Sequence, residues 1–393
     1  MGSEMCIRDR YRSRVQKLVQ SAFAGKPKDI ISQSVAKALY GEVSPYSATR
    51  LERFAACAFA HFLQYGMKLT ERVEYEFKPM DMGNVMHEAL ESFAEEVRKK
   101  GMKWTELTEQ ERNEIADRCL DNIVADYGNT VLKSSARNEY MIERTRRILR
   151  RTVWALQKQL EQGEFQPEGF EVTFGGGRID RVDIMEDQNK VYVKVIDYKT
   201  GNTSFDLVYL YHGLQLQLMI YLDGALRVEQ KKYPDKEIIP AGVFYYNIKD
   251  PMIQEKIDAD VEAVSAGLMK ELKMNGLVQA DPELVYRMDS SLGSIPVAFN
   301  KDGSFRKNSS VADRTQFAVL GRYVRTKIEK IRSSILEGDA EVSPYELGKK
   351  NACTYCPYMT VCGFDRRLSG YEFRRLKNFS DEELWKAFDR EAE

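Results

Sequence analysis

The chain has 393 residues, 43% of them hydrophobic, with 59 basic against 60 acidic side chains and a formal net charge of -1. That length supplies a sizeable core in one large domain or two ordinary ones, and the near-neutral balance means that any nucleic-acid surface has to come from local patches. No apolar run of membrane-spanning length is present and the opening residues lack the apolar stretch of a signal peptide, so the expectation is a cytoplasmic protein with reduced thiols and no membrane contact.

Residues 1–43 are weakly patterned, and the first ten look foreign to the remainder of the chain; they are expected to be a leader or linker, and Cys6 is given no function. In "SPYSATRLERFAACAFAHFLQYG", Thr49 stands three residues before Glu52 in a capping-box spacing. Leu51, Phe54, Ala58 and Phe62 follow at helical intervals, which predicts a helix that carries Cys57 and stops at Gly66. A second helix is expected from near Gly83, with Met86, Leu90, Phe93 and Val97 on one stripe and His87 near its first turn. Further helices are expected over about 108–126 and 136–161. The period then changes to two: "GFEVTFGGGRIDRVDIM" and "KVYVKVIDYKTG" predict a hairpin turning at "EDQN".

Beyond the hairpin, "LVYLYHGLQLQLMIYLDGAL" reads as helix, "AGVFYYNI" as strand and 256–273 as helix. The stretch from "ADPELVYRM" to "RKNSS" reads as loops with short strands. Residues 311–336 form an amphipathic pattern, with Phe317, Leu320, Val324, Ile328, Ile331 and Ile335 spaced by three and four. No Gly-rich loop ends in Gly-Lys-Ser/Thr, so no ATP-hydrolysing P-loop is encoded here.

In "VIDYKTG", Asp197 and Lys199 are two apart on a strand and share a face, beyond Val191, Val193 and Val195. A salt bridge at a sheet edge is one reading. The other is a site, because the neighbouring strand carries "GRIDRVD" with Asp180 and Asp183. Asp180 and Asp197 are separated by a length that fits two antiparallel strands and a short turn, so their carboxylates can converge on one divalent cation. Hard oxygen ligands suit Mg2+ or Mn2+, and such an ion activates water and neutralises charge on a phosphoryl group. Lys199 would add a fixed positive charge beside it. His87 is either a structural histidine or a further ligand, and Gln217 and Tyr221, four apart on a helix, share a face from which they could hold the lysine, a phosphate or a metal-bound water. Gly175, Gly176 and Gly177 fit either a close approach of a nucleic-acid backbone or a bend in the strand.

Three cysteines, Cys353, Cys356 and Cys362, crowd "NACTYCPYMTVCGF" with no fourth ligand nearby in sequence. In a reducing compartment they are metal ligands or buried thiols, and four thiolates would suit zinc. Cys119, in a helical pattern, reads as a small core residue.

Taken in order, "HEALESF", "GRIDRVD", "VIDYKTG" and "QLQLMIY" resemble the nuclease domain of the RecB-like branch of the PD-(D/E)XK superfamily. With "LERFAACAFAHFLQYG" ahead and "CTYCPYMTVCGFD" behind, the chain is similar, over roughly 44–380, to the C-terminal part of the AddB-type subunits of bacterial helicase-nucleases. The resemblance implies an α/β fold: a restriction-endonuclease-like core with a central mixed sheet flanked by helices, helical additions and an iron-sulfur staple. It puts His87, Asp180 and Asp197, with the backbone carbonyl of Tyr198, at the family's metal positions. Lys199 falls on its catalytic lysine, and Gln217 and Tyr221 on the motif after it.

The same resemblance implies a [4Fe-4S] cluster on Cys57, Cys353, Cys356 and Cys362. Closing so long a loop would stabilise the fold by on the order of 5 kcal/mol by analogy with a disulfide. One departure is Ala58, where the family has proline, so the local geometry around Cys57 is expected to shift. The implied function is Mg2+-dependent exonuclease cleavage of single-stranded DNA, the 5'-ended strand, beside an AddA-like helicase-nuclease subunit during double-strand break processing. The expected organisation is a leader or linker over 1–43, the nuclease domain over 44–380 and a tail over 381–393, in a chain that reads as a fragment of a longer subunit. A free-standing nuclease of the CRISPR-adaptation type and a non-catalytic DNA-binding scaffold are the alternatives. Residues 301–332 hold nine Lys or Arg against three acids and 142–158 hold six against one; these are either DNA-backbone tracks or ordinary solvated faces.

Overall fold

The computed structural model describes residues 12, 14–20, 30–41, 47–70, 79–126, 135–175, 177–253 and 260–392. Cys6, Gly176 and the start of the helix expected from 256 lie outside them. A six-stranded mixed sheet, ordered β1 to β6 as in the chain, forms the centre. Its strands are β1 (Gln166–Phe174), β2 (Gly177–Asp187), β3 (Lys190–Lys199), β4 (Glu237–Asn247), β5 (Asn275–Gln279) and β6 (Val311–Ala312). β1, β2 and β3 are an antiparallel meander, and β4 joins β3 in parallel. The fold is thus the expected α/β core with a central mixed sheet flanked by helices.

Alternation along β3 divides the side chains between two helical layers. Ile196 and Tyr198 face a layer made by α4 (Pro79–Lys99), α5 (Glu109–Asp126) and α6 (Ala136–Glu161), packed through Met86, Leu90, Phe93, Leu120, Val153 and Leu156. Val191, Val193 and Val195 face the other layer, built from α2 (Ala48–Ala56), α8 (Gln217–Lys232), α11 (Arg314–Glu337) and α13 (Asp381–Ala392), the short α12 (Met359–Cys362) lying between the last two in the chain. β2 is buried along most of its length, as a central strand covered on both sides has to be.

Several expectations are corrected. The hairpin is a three-strand meander, because "GFEVTFGGGRIDRVDIM" folds back between Phe174 and Gly177, which pair with each other, into β1 and β2. The helix through Cys57 is broken: α2 ends at Ala56, Cys57 is extended (φ -166, ψ 118), and α3 (Ala58–His61) then runs into a π-turn over 62–66. Ser47 caps α2 by accepting the N–H of Arg50, so Thr49 and Glu52 form no capping box there. The helix after the meander splits into α7 (Leu207–Tyr211) and α8, with Gly213 at φ +78 in the turn between them. "DPELVYRM" forms a helix, α10 (Pro282–Met288), N-capped by Asp281 with proline in its first turn. β5 went unanticipated, and α9 (Val261–Glu271) lies within the helix expected there.

A helix from each half of the chain, one early and one at its C-terminal end, packs onto the core. α1 (Gln33–Tyr40) buries Ala36 and Tyr40, and α13 buries Leu384, Ala387 and Phe388, so residues 381–392 form a docked helix rather than a tail. α11 has a capping box between Asp313 and Gln316 and ends at Gly338, φ +91. A Cβ there would come within 2.0 Å of the Ile31 carbonyl oxygen.

Candidate active site and thiol cluster

The β2–β3 register, with Arg181 opposite Ile196 and Val182 opposite Val195, continues to set Asp180 across from Asp197. On the other side, Phe170 opposite Arg181 and Val172 opposite Ile179 set Glu171 across from Asp180. Three acidic residues thus lie in a row across three strands spaced about 4.8 Å apart. Like charges placed directly opposite one another repel, so the row calls for positive charge.

His87 on α4 and Lys199 on β3 supply it. The His87 ring stands with Nδ1 3.4 Å from Asp180 Oδ2 and 3.7 Å from Glu171 Oε1, and its Nε2 donates to the Tyr198 carbonyl at 3.1 Å. Burial alone would lower its pKa, but Asp180 and Glu171 outweigh it and push the value up to about 10. A protonated His87 therefore takes the position between acceptors that a cation would share. Asp180 Oδ2 also accepts the Tyr198 N–H at 2.7 Å.

Asp197 is 1% exposed, and its carboxyl is pushed up to about 7, chiefly by burial and next by Asp180. Lys199 Nζ lies 2.6 Å from Asp197 Oδ2, a close ionic contact without well-aligned hydrogen-bond geometry. The same ammonium donates to Gln217 Oε1 at 2.8 Å, and Gln217 Nε2 donates to the Tyr221 hydroxyl at 2.9 Å. The i, i+4 spacing on α8 thus makes a relay that ends on the lysine.

Two acids escaped the sequence reading. Glu171 belongs with His87 and Asp180 to a group whose ligand atoms lie within 4.8 Å of one another. Its backbone holds a positive φ of 49°, unusual for a residue with a side chain, and its second oxygen pairs with Arg178. The acid in "FEVTF", in period with Asp180 once the glycines are read as a turn, was the available signal. The second is Glu52, whose Oε1 accepts the N–H groups of Leu216 at 2.7 Å and Gln217 at 3.0 Å.

Asp183, three residues from Asp180, points to the opposite face. It is fully buried, accepts from Arg181 at 2.5 and 2.9 Å, and lies 3.0 Å from Lys194. This is a structural ion cluster. His61 is buried among Tyr40, Phe54 and Tyr65 and accepts from Arg50, while His212 contacts the Lys377 carbonyl; neither joins the site.

Residues 45–363 match the profile of the PD-(D/E)XK nuclease superfamily. The chain belongs to that superfamily. It is similar over 97% of its length to the B subunit of the ATP-dependent helicase/deoxyribonuclease of Lachnoclostridium phytofermentans, at 42% identity, covering 35% of that protein. The same-named protein of a Thermoanaerobacter species is 34% identical over 97% of the chain, covering 35% of its length. That of Clostridium acetobutylicum is 35% identical over 92% of the chain, covering 33%. The chain therefore spans about a third of these relatives. The mixed sheet that carries the acidic row lies within the matched residues.

The thiols meet away from the sheet. Cys57, Cys353, Cys356 and Cys362 line one small pocket with Phe59, Ala60, Val342, Pro344, Tyr358 and Phe364. Burial first, and then the other three cysteines, push the Cys353 thiol up to about 12. Burial likewise raises Cys57, against the N–H groups of Ala60, Ser343 and Phe59, which favour its thiolate. The break at Cys57 turns the Phe59 and Ala60 amides of the next helix toward the sulfur, and Ala58 starts α3 in the place proline would take. Cys119, as expected, is a buried core residue.

Part of each basic run is engaged with acids. Arg146 and Arg150 pair with Asp117, Arg147 with Asp250, Arg325 with Asp223 and Arg314 with Glu237, each joining a helix to a neighbour, while Arg332 pairs with Glu329 of its own helix. No helix among the described residues is long and apolar enough to cross a membrane.

Proposed function

We propose that this domain hydrolyses phosphodiester bonds of single-stranded DNA with the help of one divalent cation. The observation that carries this reading is the row Glu171, Asp180 and Asp197 at one end of the sheet, with Lys199 alongside. The residues fit the ion, because buried acids in such a row need a cation that a single histidine and lysine supply only in part. His87, Asp180 and Asp197 would hold Mg2+ or Mn2+ together with the Tyr198 carbonyl, and Glu171 stands within reach of the same place. Such an ion supplies Lewis-acid polarisation of the phosphoryl oxygen and a lowered water pKa.

The chain's own groups then have distinct tasks. Lys199 presents an ammonium to the charge that grows on the phosphate as the nucleophile adds. Gln217 fixes that ammonium, and Tyr221 fixes the Gln217 amide. His87 must give up its proton to act as a ligand, so occupancy of the site and its acidity are linked.

The finer assignment is exonuclease action on the 5'-ended strand during double-strand break processing in the cytoplasm, beside an AddA-like helicase-nuclease partner. The similarity to helicase/deoxyribonuclease B subunits supports it.

For the thiol pocket the assignment is a [4Fe-4S] cluster on Cys57, Cys353, Cys356 and Cys362. Four cysteines meeting in one small pocket can give one thiolate to each iron of such a cluster. The same four would suit tetrahedral zinc, and the sequence pattern around Cys57 and Cys353–Cys362, which resembles that of AddB-type subunits, favours the cluster.

The deciding experiment is cleavage of 5'-labelled single-stranded DNA by the purified chain with Mg2+, Mn2+ or EDTA. Wild-type protein should cut only with metal, and Asp180→Asn and Lys199→Ala should each lose at least 100-fold in rate while keeping wild-type circular dichroism. Wild-type cleavage by either variant would remove the proposed site.

A further inference from the structure

We propose that Glu52 is a positioning residue of the nuclease site: from a separate helix its carboxylate clamps the first turn of α8 and thereby sets Gln217 against the Lys199 ammonium. The inference rests on the reading of Lys199 as the catalytic cation and deepens it.

The clamp has two hydrogen bonds on one oxygen. Glu52 Oε1 accepts the N–H of Leu216 at 2.7 Å and of Gln217 at 3.0 Å. These are among the amides that a helix leaves without internal partners at its start, and a carboxylate accepting them bonds more strongly than a neutral group. Leu216 itself provides no side-chain cap to α8, so the cap arrives from 164 residues upstream. The residue that receives the clamp on its backbone passes it on through its side chain: Gln217 Oε1 holds Lys199 Nζ at 2.8 Å. Backbone and side chain of one residue thus join Glu52 to the lysine.

The environment argues that this placement serves a purpose. Glu52 as a whole is only partly covered, but its carboxylate lies inside, and that burial is the leading reason its pKa is pushed up to about 7, against the opposing pull of the two amides and Lys199. A neutral capping side chain would satisfy the same amides at less desolvation cost. The helix that carries Glu52 ends at the residue before Cys57, so the clamp is mounted on the element that leads into the thiol cluster.

The test compares Glu52→Ala, Glu52→Gln and, as a control on the exposed side of the same helix, Thr49→Ala. Three quantities are read: kcat and KM for single-stranded DNA, hydrogen exchange of the peptide covering 213–221, and the rate at which an amine reagent modifies Lys199. Glu52→Ala should lower kcat at least 10-fold with KM within about twofold, speed exchange of that peptide at least 10-fold, and expose Lys199 to faster modification. Glu52→Gln should restore most of the exchange protection and part of kcat, and Thr49→Ala should match wild type throughout. Wild-type exchange and wild-type lysine reactivity in Glu52→Ala would overturn the proposal whether or not the protein cuts DNA. Full kcat in Glu52→Ala would overturn it too, while loss of activity in Asp180→Asn would leave the nuclease reading standing.

Discussion

Replacing Asp197 by asparagine is expected to stabilise the metal-free protein while abolishing cleavage. The carboxyl is 1% exposed and pushed up from 3.8 to about 7, first by burial and then by Asp180, with Lys199 pulling the other way. Because the folded state binds this proton more tightly than the unfolded chain does, stability falls as pH rises from the unfolded value through about 7. About three pH units at 1.36 kcal/mol each make an upper figure of roughly 4 kcal/mol. Asparagine forfeits the Lys199 contact, which leaves a net gain of about 2 kcal/mol above neutral pH. Glu52, also raised to about 7, adds the same slope below neutrality. His87, raised to about 10, contributes stability that is complete below 6.5 and lost as pH climbs toward 10. The assay is urea unfolding in EDTA at about pH 5.5, 7 and 8.5, repeated with millimolar Mg2+, which should flatten the wild-type decline by binding the folded carboxylates. A wild-type stability that stays level across this range in EDTA, or an Asp197→Asn protein no more stable than wild type at pH 8.5, would refute the reasoning.

Glu171→Gln should weaken Mg2+ binding about 10-fold, read as a higher metal concentration for half-maximal cleavage with little change in the saturated rate. Asp183→Ala should destabilise the fold by about 3–5 kcal/mol in urea unfolding, because Arg181 and Lys194 would be left as buried cations without their partner. Protein made without oxygen should be brown with broad absorbance near 400 nm, and Cys57→Ala should remove the colour; a colourless wild type carrying one zinc would reverse the cofactor assignment.

The period-two runs, the D-x-K pair and the helical stripes were legible in the sequence because each is a local pattern that solvent and core impose directly. Asp180 and Asp197 could be brought together on paper since a short turn joins their strands. Glu171 could not, as long as three glycines were read inside one strand. The reversal of the chain between Phe174 and Gly177 brings a third acid into the row. Glu52 was hidden for a different reason: its spacing from Thr49 fits a local cap, and only the tertiary packing of α2 on α8 reveals that it caps another helix. The break at Cys57 was masked by the good helical pattern around it, in which Ala56 and Ala58 favour helix on either side.

The two centres of this domain share an element. The meander can set Asp180 beside Asp197 unaided, since both positions follow from β2–β3 pairing. It cannot set Lys199, whose ammonium has several rotatable bonds and gains its direction from Asp197 and Gln217. Gln217 in turn depends on where α8 begins, and that start is held by a residue of α2. α2 has one end tied to the core through Leu51 and Phe54 and the other to Cys57, beside three cysteines from the far end of the chain. A group bound by those four thiols would therefore fix the C-terminal end of α2, and through Glu52 the entry of α8. Removing it should loosen Lys199 before it disturbs the acidic row, so that activity falls while metal affinity at His87 and Asp180 is retained.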